Sequence, residues 1–355
     1  MITAVVFLVL QAPLVVSPSG PYRSIAAAVA AAPAGATVRV ARGTWREPTV
    51  IIDRPLTLVG DSGSVLDGEG VRELVIIRGP GITVRGLTFR NTGFSYHEDR
   101  AAVHVDSASG CLIDGNRFEA TFFAIYLSST EGCRVRNNVI VGVPGSESAT
   151  GNAIHSWGSR HLLIEGNRVR GHRDGLYLEF TRHATVRHNV SEENDRYGLH
   201  FMYSDSSAYR GNTFRANGSG VAVMYSKVVS MTDNRFADNG GATAHGLLLK
   251  EIADVRLERN TFSRNTTGLL ADGADRLYAV GNRFDRNGCA VRLLSSTTAG
   301  TFEGNAFSGN SFDVAVNGRV SGATFDGNWW DGYRGWDLDR NGAGDVPHHP
   351  VRLFA

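Results

Sequence analysis

The chain has 355 residues, 42% of them hydrophobic, with a formal net charge of +1. It can bury a large core, and its balanced charge excludes a chain-wide basic field for nucleic acid or an acidic one for cations. The 42 glycines against ten prolines fall at regular places and form no low-complexity block, as suits a coil that turns several times per repeat.

Residues 1–16 open with the apolar run Met1-Ile2-Thr3-Ala4-Val5-Val6-Phe7-Leu8-Val9-Leu10, which reads as an export signal, although a basic leader is missing. The competing reading is a first β-strand, which Leu14-Val15-Val16 already suggests. No later segment has the ~20 continuous apolar residues needed to cross a bilayer. Residues 17–81 read as an N-terminal cap with the first irregular coils. The alanine-rich stretch 22–32, stopped by Pro33 and Gly35, predicts a short helix. Short strands follow at Val38–Val40, Val50–Ile52, Leu56–Val59 and Leu74–Ile77.

From residue 82 to 330 the chain repeats. An Asn recurs at positions 116, 138, 167, 189, 212, 234, 260, 282, 305 and 328, at intervals of 22 to 29 residues. Three residues before it stand Ile113, Val135, Ile164, Val186, Tyr209, Met231, Leu257, Ala279, Phe302 and Phe325. Two residues after it stand Phe118, Ile140, Val169, Ser191, Phe214, Phe236, Phe262, Phe284, Phe307 and Trp330. Period-two alternation puts both columns inside, with Asn turning the corner. Strands this short, without crossover helices between them, predict an all-β chain: a parallel β-helix of ~22-residue coils behind a short N-terminal capping helix. Right-handedness is assigned by analogy among such folds. Insertions fall at 142–151, near Asn239–Ala244, and at Asn91–Arg100, which carries Phe94, Tyr96 and His97. Cys111 and Cys133, one repeat apart, read as buried small hydrophobes in preference to a disulfide or metal site, because parallel side chains give a poor disulfide torsion.

The clearest copies are Gly198-Leu199-His200-Phe201-Met202-Tyr203-Ser204 and Gly220-Val221-Ala222-Val223-Met224-Tyr225-Ser226. In this frame the third and fifth places project outward. The third-place column is His104, Tyr126, His155, Tyr177, His200, Ala222, Leu248. The fifth-place column is Asp106, Ser128, Trp157, Glu179, Met202, Met224, Lys250. A purely structural outer face would carry Thr, Ser, Lys, Asn and Asp, so this strip calls for a function. Stacked thioethers beside an imidazole suit Cu(I), which makes His200, Met202 and Met224 candidate ligands. The alternative is a partner-docking face of His155, Trp157, Tyr177, Glu179, Tyr203, Tyr225 and Lys250.

A carbohydrate-binding or polysaccharide-degrading protein is the rival class. Glycosidic chemistry needs two carboxylates roughly 5–9.5 Å apart. Asp106 and Glu179 would stand three coils apart, about 14 Å, while Asp174 and Glu179 flank one strand. Residues 331–355 form a C-terminal loop with an Asp-rich motif. There Asp337, Asp339, Asn341 and Asp345 match the first part of a calcium loop, but His348 stands where its closing Glu would be. His348 and His349 read as tail residues.

The segments Tyr197–Ser204, Gly220–Lys227 and Gly246–Ile252, with the ending Asn328-Trp329-Trp330-Asp331-Gly332-Tyr333 through Asp345 and Pro347, resemble the NosD family over essentially the whole chain. The resemblance implies a right-handed β-helix in the periplasm, without catalysis of its own. It also implies work with an ABC-type ATPase and permease, and with a lipoprotein copper chaperone, in assembling the copper centres of nitrous oxide reductase. It supplies no metal ligands; the copper and calcium residues above rest on the sequence pattern alone.

Overall fold

The computed structural model describes residues 12–95, 99–143, 150–318 and 322–351. Each regular coil gives three short strands, for example Tyr197–Met202, Ser207–Arg210 and Thr213–Arg215. All pairings between coils are parallel, and each coil stacks on the next in register, so that Leu176, Leu199 and Val221 are successive partners. The third strands build a separate 13-stranded sheet. The first and second strands merge into one 24-stranded sheet, because His245–Glu258 and Thr267–Val280 run unbroken through both faces. The chain is therefore a parallel β-solenoid.

Its interior follows from the alternation. Phe214, Phe236, Phe262, Phe284, Phe307 and Trp330 stack ring on ring at 4.2–5.7 Å. The corner Asn residues form the expected ladder. Asn212 donates from Nδ2 to Asn234 Oδ1 (3.0 Å) and to the Val186 carbonyl (2.9 Å), while its own oxygen accepts from the Asn189 backbone N–H (3.0 Å). Buried corner amides are thus satisfied without solvent. A second ladder runs five residues later through Asn194, Asn217, Asn239, Asn265, Asn287 and Asn310. Glycine opens the frame at Gly220 because a Cβ there would lie 2.4 Å from the Gly246 carbonyl oxygen of the next coil.

The helix covers Ile25–Ala31, with Ser24 Oγ accepting from Ala27 N and the Glu47 carboxylate accepting from the N–H groups of Ile25 and Ala26. Leu14–Val16 is a strand paired with Val38–Val40. The apolar run at 1–11 lies outside the described residues, as do Tyr96, His97 and most of the 142–151 insertion. Cys111 and Cys133 are joined in a disulfide, which corrects the expectation of two unlinked thiols. Coil stacking brings their Cα atoms to 4.5 Å, at the near edge of disulfide reach.

Candidate functional site

Strand register assembles the strip as read. Tyr126, His155, Tyr177 and His200 are successive partners, and so are Ser128, Trp157, Glu179, Met202, Met224 and Lys250. His104, Tyr126, His155, Tyr177 and His200 form a continuous run of alternating imidazole and phenol rings, with centroids 4.7–4.9 Å apart. Burial, with the Arg173 charge beside it, pushes His155 down to about 3, so it is a neutral imidazole at ordinary pH. Burial and the neighbouring Glu179 charge push Tyr177 up to about 12. The protonated Tyr177 hydroxyl donates to Met202 Sδ at 3.7 Å. Met202 and Met224 lie directly side by side, both partly exposed, on adjacent strands.

His200 departs from the expected outward, open placement: it is only 5% exposed. The rings of Tyr177 and Tyr197 pack on it at 4.8 and 4.9 Å. Its Nδ1 lies 3.3 Å from Arg196 Nη2 and 3.7 Å from Asp174 Oδ2, and its Nε2 is buried without a partner among the described residues. Asp174 is fully buried. It accepts from Arg196 Nε (2.9 Å), Arg196 Nη2 (2.5 Å) and the Tyr197 backbone N–H (3.2 Å). Burial alone would raise this carboxyl, but His200 and Arg196 beside it outweigh that and hold it below the usual range.

Asp174 and Arg196 were missed as supports of His200. Their signal was the residue before the frame glycine, since Asp174 and Tyr197 are register partners. Asp174 is therefore committed to structure, and it stands at the opposite end of a six-residue strand from Glu179. Neither of the two carboxylate pairs considered from sequence forms a glycosidase-like dyad.

Trp157 stands 41% exposed at the strip's edge. Tyr203 and Tyr225 follow Met202 and Met224 onto the turn, where they stack at 5.2 Å, and Phe180 stacks on Tyr203 at 5.1 Å. Phe180 was not singled out in the sequence, though it holds the same place after Glu179 that Tyr203 holds after Met202. At the C-terminus, Asp337, Asp339 and Asp345 bring carboxylate oxygens within 4.8 Å of one another. Asn341 is bonded into the same loop: its side-chain oxygen accepts from the Ala343 backbone N–H (2.7 Å), and its own backbone N–H donates to Asp337 and Asp339. His348 packs on the Trp330 ring instead.

A family model described as "Periplasmic copper-binding protein (NosD)" matches residues 142–335. A protein of Pseudomonas aeruginosa named "Probable ABC transporter binding protein NosD" is 34% identical over 347 residues, covering 84% of this chain and 74% of that protein. Its namesake in Stutzerimonas stutzeri is 27% identical over 365 residues, covering 86% and 75%. Among solved structures, the A-module of the mannuronan C-5 epimerase AlgE4 of Azotobacter vinelandii superposes with a TM-score of 0.58 at 12% identity, covering 82% of this chain and 91% of that one. The surface adhesin PfbA of Streptococcus pneumoniae gives 0.58 at 11% identity, covering 81% and 86%. At such identities these two likenesses show the fold alone.

Proposed function

The chain belongs to the NosD family, and from that membership we propose that it is a periplasmic, non-enzymatic accessory protein that hands Cu(I) onward during assembly of the nitrous oxide reductase copper centre. In this reading it works with an ABC-type ATPase and permease and receives copper from a lipoprotein chaperone. The relatives' names and the family description support the transporter and copper associations. Among the described residues no helix is long and apolar enough to cross a membrane.

The observation that carries the copper reading is the donor set of Met202, Met224 and His200. Two thioethers stand side by side on rigid strands, two residues along from an imidazole whose Nε2 is buried without a partner. Soft donors of this kind suit Cu(I) and not Ca²⁺ or Mg²⁺. Ligation through Nε2 requires the proton on Nδ1, which gives up the contact with the donor-only Arg196 Nη2 at 3.3 Å and turns toward the Asp174 carboxylate at 3.7 Å. The strip is open on its methionine side, which favours hand-over above storage. His155, Trp157, Tyr177, Glu179 and Lys250 then form the surrounding docking face.

The test is a Cu(I) competition titration on wild type and on the double variant Met202→Leu, Met224→Leu, paired with reductase maturation in a deletion strain carrying each. Leucine keeps the apolar bulk, so partner docking survives while Cu(I) affinity and maturation fall. Equal affinity and full maturation in the double variant would remove the ligand assignment.

A further inference from the structure

We propose that the turn beside the methionine strip is an aromatic slot, which receives one Phe, Tyr or Trp side chain from an acidic segment of a partner protein. The inference rests on the docking reading above and gives that docking a chemistry.

Backbone hydrogen bonds define one column of turn residues, each in the left-handed region: Ser107, Ser129, Gly158, Phe180, Tyr203 and Tyr225, with φ between 49° and 60°. A bulky ring is costly at such a φ, which suits glycine, and the first three coils carry Ser, Ser and Gly. The next three nevertheless carry rings, stacked nearly parallel at 5.1 and 5.2 Å and standing 48%, 42% and 40% exposed. Three aromatic side chains are thus held in positive-φ backbone on the surface, packed on one another and outside the core.

The ladder then stops abruptly. Tyr203 covers one face of Phe180, and among the described residues no ring covers the other. On that side stands Gly158, whose added Cβ would meet nothing closer than Ser129 Oγ at 3.7 Å. Phe180 and Ser129 are two coils apart, about 9.6 Å at the parallel strand spacing. One planar ring inserted above Gly158 would sit about 4.8 Å from Phe180, continuing the ladder at its own period.

The groove at this place has a volume of about 460 Å³ and is bordered by Arg160, His161, Arg182 and His183. Among the described residues no carboxylate lines it. Arg160 is paired with Glu131, whereas the Arg182 guanidinium has no ion pair among the described residues. The imidazoles of His161 and His183 in its lining stack on each other at 5.0 Å. The Arg182 guanidinium beside an uncovered ring face selects an aromatic group with negative charge near it. A sugar would want acceptors for its hydroxyls, and the lining lacks Asp, Glu, Asn and Gln. Trp157 immediately precedes Gly158, so the slot is continuous with the strip on which Met202 and Met224 stand.

Two opposite variants test it. Phe180→Ala removes the stacking surface; Gly158→Phe fills the slot with a ring at a backbone angle that Phe180 already adopts. Each is measured against copper-free nitrous oxide reductase by biolayer interferometry. A pentapeptide of four aspartates around one tryptophan, its leucine counterpart and an oligouronate are titrated in parallel, and thermal melts confirm that both variants fold. Both variants should weaken reductase binding about tenfold or more, as for a central aromatic anchor, and should abolish binding of the tryptophan peptide. If the reductase binds wild type and both variants alike, the slot is refuted while docking stands. If the reductase fails to bind wild type, the maturation reading falls, and the peptide decides the slot alone: loss of tryptophan-peptide binding in both variants supports it, and no preference for tryptophan over leucine refutes it. Binding of the oligouronate but not the peptide, sensitive to Phe180→Ala, would replace the protein ligand with a sugar.

Discussion

Replacing Asp174 by Asn perturbs the site at the residue that organises it without changing its volume. The carboxylate accepts three hydrogen bonds from Arg196 and the Tyr197 backbone and faces His200 Nδ1 at 3.7 Å. The amide keeps one acceptor oxygen but sets an NH₂ group against donors in either orientation, Arg196 Nη2 on one side or Arg196 Nε and the Tyr197 N–H on the other. Breaking a buried ion pair costs about 3–5 kcal/mol. Arg196 is 32% exposed and recovers some hydration, so the lower end, about 3 kcal/mol, applies here. For 355 residues unfolding as one unit, with an entropy near 2.1 cal/mol/K per residue, that is a fall in Tm of about 4 °C. The carboxyl is held below its unfolded range. Its contribution is therefore complete above about pH 4 and is lost as pH falls further, so the variant should converge on wild type in strong acid. Cu(I) affinity should fall about tenfold or more with the loss of the group that orients the ligand. Asp233→Asn, which breaks an exposed pair with Arg259, should cost less than about 1 kcal/mol. Scanning calorimetry from pH 3 to 8 and the Cu(I) titration read both effects. A Tm within 1 °C of wild type at pH 7 would refute the reasoning.

His172 is buried, its Nε2 without a partner among the described residues, and burial pushes it down to about 4, so it folds neutral. The stability this gives is complete above the ordinary value of 6.5 and is lost as pH falls toward 4. His172→Asn, which extends the second amide ladder by one rung, should flatten that acid limb by about 3 kcal/mol; an unchanged pH–Tm profile would contradict the assignment. Calcium should raise Tm by mass action if Asp337, Asp339 and Asp345 hold it, and identical melts in chelator and in millimolar calcium would remove that site.

The solenoid was legible because its signal is repeated: a mis-stacked coil would move a whole apolar column to the outside. The outer strip was legible for the same reason, since register alone makes Met202 and Met224 neighbours. What sequence could not supply is depth. The alternation rule assigns His200 to the outside, but it cannot foresee that Arg196, Tyr177 and Tyr197 close over it. The disulfide was misjudged by weighing the parallel side-chain directions above the short Cα separation that coil stacking gives Cys111 and Cys133. Phe180 stayed hidden because its partner in the frame is a different aromatic, and the open face beside it is an absence at Gly158.

The parallel stacking also makes the molecule a ruler. Thirteen strands on the third face span about 58 Å at 4.8 Å per step. Met202 lies between the seventh and eighth of them, so each end of the rod is about 30 Å away. Two bodies could grip opposite ends and both leave the methionine pair uncovered for a third. Whole coils are the natural unit of length variation here. Inserting one lengthens the reach by about 4.8 Å and leaves every side chain of the strip in register.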